Sequence, residues 1–535
     1  MGKLERRIFT KHWGFNTLTI IAIFVYMGIH TRIHLEIIYL FDAVLEGDYG
    51  QFIRKVLIFL GLIILFCMAQ FISQTMIAKA VEKMNKVLRL HIHKNLSSLS
   101  PQIFYKEEVG TYISWLTNDI KQLEDSSFKK VFELFSYMAT AIFNCIALYS
   151  IHYGLLLTAI ISAFILCFSP LPFKKKMQKN ALNLSESQEQ FTAQIKDTMC
   201  GFGVMKNYNL MSLFFDKLQR SGYFVEREKF KYAYKNQKYL VVLMFINFLT
   251  QMACVIVGAA LALFNLVSAA VIVSLGTFAG SFCNAVSGFS TTLMSLGAGR
   301  AIIEKFDVEE EPQTGCPLEQ FEDAIELEHL AYDYDGTEIF SDVNLTFKKG
   351  KKYALVGPSG CGKSTILKII MRELEDFSGK VTIDRKDIKA YHPNAIYDHV
   401  AYISQETYLF DATIKDNITL FKTDYDDERL AEVLEESALA HEEMILERMD
   451  ENVGEGGKNL SGGQRQRLAI ARALFNQKSV IIMDEGTSAL DVENAKRIEE
   501  KLLTNKNLTV ILVTHHMNDD LKDLFDEVYE MGTTV

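Results

Sequence analysis

The chain has 535 residues, 49% of them hydrophobic and 23% charged, too apolar for a disordered chain and too charged for one buried wholly in a bilayer. Its formal charge of −10 is uneven: residues 1–306 carry 31 Lys and Arg against 19 Asp and Glu, net +12, and residues 307–535 carry 25 against 47, net −22. The acidic portion excludes a general affinity for nucleic acid, whereas the basic portion suits segments lying beside anionic lipid headgroups.

Crossing a bilayer as a helix takes about 20 apolar residues at about 1.5 Å rise. Six stretches meet this, at 16–40, 53–78, 132–152, 155–173, 239–264 and 267–294. Lys and Arg crowd the N-terminus (Lys3, Arg6, Arg7, Lys11) and the second-to-third and fourth-to-fifth connections, the latter with Lys174, Lys175, Lys176, Lys179, Arg227, Lys229 and Lys231. The remaining connections carry none. The positive-inside rule therefore places both termini in the cytosol and predicts a multi-pass protein of the cell membrane. Arg54 and Lys55, at the outer end of the second span, are exceptions read as snorkelling side chains. The N-terminal run is too long for a secretory signal and shows no small-residue cleavage site. With about fifteen residues ahead of the first span, no fused leader-cleaving peptidase is expected.

The two basic connections run to tens of residues with helical character, so spans two to five are expected to continue into the cytosol. Residues 105–120 and 194–208 are the expected contact elements at the two tips. No Asp, Glu, Lys or Arg occurs from Tyr239 to Gly299, which argues against a proton relay or ion pathway there. The small residues Gly258, Ala259, Ala260, Gly276, Gly280 and Gly288 read as packing positions. In the first span His30 with His34, and Arg32 with Glu36, share faces at i,i+4 spacing. They read as a helix emerging among headgroups, with metal or substrate binding as the alternative. Eight scattered cysteines without a C-x-x-C pair indicate neither a disulfide framework nor a zinc site.

Residues 307–322 read as a linker between a membrane domain, 1–306, and an α/β domain with a largely parallel sheet, 323–535. Tyr353 to Val356 reads as a buried strand, and the next eight residues, Gly357, Pro358, Ser359, Gly360, Cys361, Gly362, Lys363 and Ser364, fit G-x-x-x-x-G-K-S. Thr365 continues into a helix, which is the context a P-loop needs. The glycines let backbone N–H groups converge on phosphates, Lys363 reaches the β- and γ-phosphates, and Ser364 holds Mg2+. Cys361 is expected to have a free side chain. A second apolar run, SVIIMDE, ends in Asp484, placed to organise Mg2+, and Glu485, placed to polarise the attacking water.

Between these motifs lies LSGGQ, Leu460 to Gln464, which resembles the signature of ATP-binding-cassette proteins. The six spans resemble the exporter branch of that family, and the likeness covers nearly the whole chain. The resemblance implies an all-α six-helix membrane domain of the type I exporter kind, followed by a P-loop ATPase domain with a helical signature subdomain. Ser461, Gly462, Gly463 and Gln464 would bind the γ-phosphate of ATP held by the other subunit's P-loop, so two chains are required, either two copies or a paralogous pair. Tyr334 matches the aromatic that stacks on adenine, and Gln405 the glutamine that contacts Mg2+ and water. Asp491 matches the residue that communicates across the dimer, and Val453 to Gly457 a segment that touches the contact helices. His515 matches the histidine on the γ-phosphate, His516 standing one place late. Gly486 departs from the usual alanine, and the chain ends short of the usual helical tail.

The implied activity is ATP-driven export by alternating access, with ATP, Mg2+, membrane lipids and an amphiphilic cargo such as a small peptide as partners. A lipid flippase or a multidrug exporter is the nearest alternative, and an ATP-gated channel or sensor the remoter one.

Overall fold

The computed structural model describes residues 3–296, 303, 306, 315–334, 336–405, 407–439, 447–487, 490–514 and 519–532. The chain divides into two compact units, Met1–Asn95 with Gly110–Val308, and Leu96–Val109 with Glu309–Val535.

The described residues of the first unit are helical. A short helix α1 (Lys3–Lys11) leads into α2 (Trp13–Leu45) and α3 (Tyr49–Ser98). After the brief α4 (Pro101–Phe104) come α5 (Val109–Ile151), α6 (Tyr153–Cys200), the brief α7 (Phe202–Asn207), α8 (Met211–Leu263) and α9 (Ala270–Ser295). Six of these, α2, α3, α5, α6, α8 and α9, are long and apolar enough to cross a membrane, and each carries one of the six expected stretches. The 50 residues of α3 extend about 75 Å, more than twice the hydrocarbon thickness of about 30 Å. Spans two to five therefore do run on beyond the bilayer. Within α5 the backbone loosens to π-helical turns at Trp115–Asp119 and Glu124–Phe128.

The chain turns between α3 and α5 at α4, just ahead of the expected contact element at residues 105–120. Leu96–Val109 clusters with the second unit, whereas Gly110 onward returns to the first. The turn is set by Ser100, whose side chain accepts from the Ile103 N–H, and by Pro101 at the first helical position, where its missing N–H costs nothing. That Ser-Pro pair was the available signal. At the other tip α6 gives way to α7 at Gly201, inside the expected window.

The small residues of α8 and α9 divide into two kinds. A Cβ at Gly258 would overlap the Leu275 side chain and one at Gly288 would collide with the Tyr137 ring, whereas Gly276 has open space beside it. Helix packing thus requires a glycine at 258 and at 288, and not at 276.

The His30–Glu36 group is not a solvated helix end. Glu36 is 2% exposed and is bound by Arg32 one turn before it and by Lys55 Nζ at 3.4 Å from α3. Lys55 also lies 4.5 Å from the Tyr39 ring centre, so its presence at the outer end of the second span answers a buried carboxylate. Breaking a buried pair from one side costs about 3 to 5 kcal/mol, and the half-exposure of Arg32 lowers that figure. Glu36→Gln is expected to destabilise the purified protein by up to about 3 kcal/mol, with Glu36→Asp between it and wild type. Denaturant melts of the three proteins in one detergent check the order.

Nine strands occur among the described residues of the second unit: β1 (Ala324–Tyr334), β2 (Thr337–Lys348), β3 (Lys352–Val356), β4 (Ser378–Ile383), β5 (Lys386–Asp387), β6 (Val400–Ile403), β7 (Val480–Asp484), β8 (Thr509–Thr514) and β9 (Glu527–Glu530). One sheet is antiparallel, in the order β2-β1-β4-β5, and the other is parallel, in the order β6-β7-β8-β3-β9. All five residues of β7 are buried, as expected of a parallel strand covered on both faces. Two apolar cores result. One holds β3 and the helix after it, α10 (Lys363–Ile370), and the other holds α11 (Gly462–Phe475). Of the expected linker, 307–314 lies outside the described residues, and Leu318 and Phe321 are buried in the first core.

Candidate active site

Parallel pairing brings the motifs to one edge. The P-loop follows β3, Asp484 ends β7, and Gln405 stands two residues past β6, all at the carboxyl ends of strands in one sheet, where open α/β sheets bind ligands. His515 and His516, which follow β8, lie outside the described residues.

The P-loop is shaped for an anion. Gly360 and Gly362 have φ of +87° and +91°, a backbone that side chains resist, and the loop turns directly into α10. Lys363 is 5% exposed, and its Nζ donates to the carbonyls of Gly357 at 2.7 Å and Pro358 at 2.8 Å. A buried lysine held by two loop carbonyls and the Cys361 sulfur, with no carboxylate among its described partners, fits a phosphate, which would supply the countercharge. Ser364 is exposed at the helix start and Thr365 half-buried. Cys361 departs from expectation. Its side chain is buried, with Sγ 3.7 Å from Lys363 Nζ, in space that a Cβ at Gly357 would crowd.

Asp484 is buried at the end of β7 and accepts from the Tyr402 hydroxyl at 3.3 Å. Burial, and then the Asp484 charge, push the Tyr402 phenol well above its usual range, so it stays a neutral donor. With Ser364, Asp484 offers the hard oxygen ligands that suit Mg2+. Glu485 continues the ladder through its N–H to Val513 O at 3.1 Å, but with φ of +53°. A non-glycine residue in that region costs about 1 to 3 kcal/mol and is retained where the surroundings impose it. Its carboxylate accepts from Gln405 Nε2 at 2.8 Å. Gln405, expected beside Mg2+ and water, thus touches the candidate base itself.

Gly486 follows, and the space an alanine would use is taken: its Cβ would lie 2.9 Å from Met483 Cε. The far end of a methionine moves easily, so Gly486→Ala is expected to change ATPase activity by less than about threefold, as steady-state turnover will check.

The signature motif stands apart. Ser461 caps α11, its Oγ accepting from the Gln464 N–H at 3.2 Å while Gln464 Oε1 accepts from the Ser461 N–H at 2.8 Å, a reciprocal capping box. Gly462 and Gly463 form the first turn, so the helix presents backbone donors at its start. Asp491 caps α12 (Val492–Thr504), and the Asn494 N–H and amide hold its carboxyl below the usual range. Tyr334, the last residue of β1, is 64% exposed and so has a ring face free to stack. The 453–457 segment buries Val453 and turns through three glycines of positive φ.

Sequence reading missed Arg472. From α11 it donates to Asn417 O and Oδ1, both at 2.9 Å, and to Tyr408 O at 3.0 Å, tying the signature helix to the loop that follows Gln405. The available signal was a single arginine within the apolar second half of the helix, Leu468 to Phe475.

Family models match both portions: "ABC transporter transmembrane region" over residues 17–286, and "ABC transporter" over residues 340–488. The chain belongs to the ABC transporter family. It is therefore an ATP-binding, ATP-hydrolysing membrane transporter with six spans, of the exporter kind. An ABC relative, the ATP-dependent lipid A-core flippase of Haemophilus influenzae, is 28% identical over 510 residues, covering 90% of this chain and 85% of its own. A Staphylococcus aureus protein, whose name proposes multidrug export, is 27% identical over 523 residues, covering 94% of this chain and 90% of its own. In fold, a bacterial Atm1-family ABC exporter with ATP bound superposes with a TM-score of 0.81 at 17% identity, covering 97% of this chain and 94% of that one.

Proposed function

We propose that this ABC transporter is one half of a dimer in the cell membrane, with its ATPase unit in the cytosol, exporting an amphiphile by alternating access. The observation that carries the dimer is the separation of the two anion sites: the P-loop helix α10 is rooted in one apolar core and the signature helix α11 in the other. A second chain would bring its signature motif to this chain's P-loop, so each ATP would be clamped between Lys363 of one protomer and the Ser461–Gln464 turn of its mate. Further support comes from the end of α6, α7 and the turn after it, where Met199, Phe202, Val204 and Tyr208 are exposed. That hairpin tip has the character of a surface covered by another chain.

Within each site Ser364 and Asp484 would hold Mg2+, with Gln405 beside it, and Tyr334 would stack on adenine. Glu485 would take the proton of the attacking water, oriented by the Gln405 amide. His515 would contact the γ-phosphate, and Asp491 would relay its loss across the dimer. Arg472 would carry movement of the Gln405 loop into the signature helix.

Two kinds of relative, a lipid flippase and a named multidrug exporter, favour an amphiphilic cargo without choosing one. Residues 307–322 would join domains 1–306 and 323–535. The test is ATPase activity of the reconstituted protein, together with ATP-dependent uptake into inside-out vesicles, against peptides, lipids and drugs. Saturable stimulation and uptake of one class identify the cargo. Ohmic current without vectorial uptake would instead establish a channel.

A further inference from the structure

The helix α12 turns an apolar face inward, with Ile498, Leu502 and Leu503 buried in the core that also holds α11. Glu499 lies on that face, one turn before Leu503, since residues four apart stack along a helix. Burial pushes its carboxyl above the usual range, and among the described residues no cation pairs with it. A lone acid on an apolar face costs stability that a methionine of similar length would not. Packing alone does not account for it.

What the carboxyl does have is one hydroxyl. Thr487 Oγ1 donates to Glu499 Oε1 at 2.6 Å, across 12 positions of sequence, the length of a hydroxyl-to-carboxylate bond. Thr487 stands between two residues of the site, just after Glu485, the candidate base, and ahead of Asp491, which caps α12.

The stretch from Glu485 to Asp491 is anchored at both ends. At the first, the Glu485 N–H donates to Val513 O at 3.1 Å, and at the second, Asp491 accepts from the Asn494 N–H at 3.0 Å. Between them, the Leu490 N–H donates to Thr487 O at 3.0 Å, a bond internal to the stretch. The bond from Thr487 to Glu499 reaches outward instead, to a point two turns into α12 and about 12 Å along it from the cap. It closes the loop onto the helix that the loop leads into, so a shift at Asp491 is carried to Thr487 and on to Glu485.

We infer that Glu499 is a positioning residue for ATP hydrolysis: acting through the Thr487 hydroxyl, it holds the stretch from Glu485 to Asp491 in the shape that keeps the base on the attacking water. This rests on the reading of Glu485 as that base. Misplacing a reacting group by about 1 Å can cost about a hundredfold in rate, so one loop tie is enough to matter.

The test compares Glu499→Met, Glu499→Gln, Thr487→Val and the double variant Glu499→Met with Thr487→Val, all in the full-length protein in nanodiscs. Glu499→Met is expected to lower kcat by about tenfold to a hundredfold, with KM for ATP and equilibrium nucleotide binding near wild type. Its melting temperature is expected to be no lower than wild type, because an apolar side chain replaces a buried acid. Glu499→Gln keeps an oxygen for the Thr487 hydroxyl and is expected to stay within about threefold of wild-type turnover. The double variant is expected to be no slower than the slower single one, as two changes that remove one shared bond do not multiply. Wild-type turnover in Glu499→Met would overturn the inference, as would a loss that multiplies in the double variant or that tracks a fallen melting temperature. A glutamine as damaging as the methionine would overturn it too. Glu485→Gln, measured alongside, separates the two readings. If it is inert while Glu499→Met turns over normally, the positioning role fails and the base reading stands. If it stays active while Glu499→Met is slow and glutamine restores the rate, the tie is upheld and the base reading falls.

Discussion

Glu485→Gln is expected to cut ATP turnover by about a hundredfold to ten-thousandfold, the usual worth of a positioned general base, while leaving nucleotide binding near wild type. The substitution is clean because the site's geometry does not depend on the charge. Gln405 Nε2 donates to a Glu485 carboxylate oxygen at 2.8 Å, and an amide oxygen in the same place can accept that bond. The backbone N–H of Glu485 pairs with Val513 O, a bond the side-chain substitution leaves in place. What disappears is the ability to take a proton. Single-turnover hydrolysis and equilibrium nucleotide binding, measured on the same preparation, separate the two effects. Retained turnover would place the base elsewhere.

Lys363→Ala is expected to fail one step earlier. A hydrogen bond to a charged group is worth about 1.5 to 3 kcal/mol, so losing the ammonium lowers ATP affinity by about ten- to a hundredfold, and turnover falls with it. The fold has little stake in this side chain beyond two loop carbonyls, Gly357 O and Pro358 O. The melting temperature without nucleotide should therefore change less than the stabilisation that ATP confers on wild type, and thermal shift with and without ATP reads both. The two substitutions divide the reaction: one protein that binds and does not hydrolyse, and one that does neither.

What could be read in advance was what depends on local pattern. Six apolar stretches, a glycine-rich loop between strand and helix, and a strand ending in two acids are each visible in a window of about twenty residues, and each lies where expected. The misses are contacts between segments far apart in sequence. Cys361, expected to have a free side chain, is buried against Gly357, whose missing Cβ leaves it room. Glu36, expected among headgroups, is buried and paired with Lys55 of the next helix. Gln405 was assigned by resemblance to a metal and water, and the structure adds its bond to Glu485, 80 positions away. Arg472 belongs to no motif, because its acceptors, Asn417 O and Oδ1 and Tyr408 O, are gathered only in the folded chain. The place where α3 stops is itself a local signal, the Ser100-Pro101 break that starts α4.

The central claim is that one chain's P-loop meets another chain's signature turn across a shared nucleotide. Replacing the native cysteines, introducing Ser359→Cys and Ser461→Cys, and oxidising membranes loaded with ATP under non-hydrolysing conditions tests it directly. The account predicts a covalent species of twice the chain mass that depends on nucleotide and on both cysteines. A protein that still hydrolyses ATP yet remains a single-chain band in every nucleotide state would contradict it.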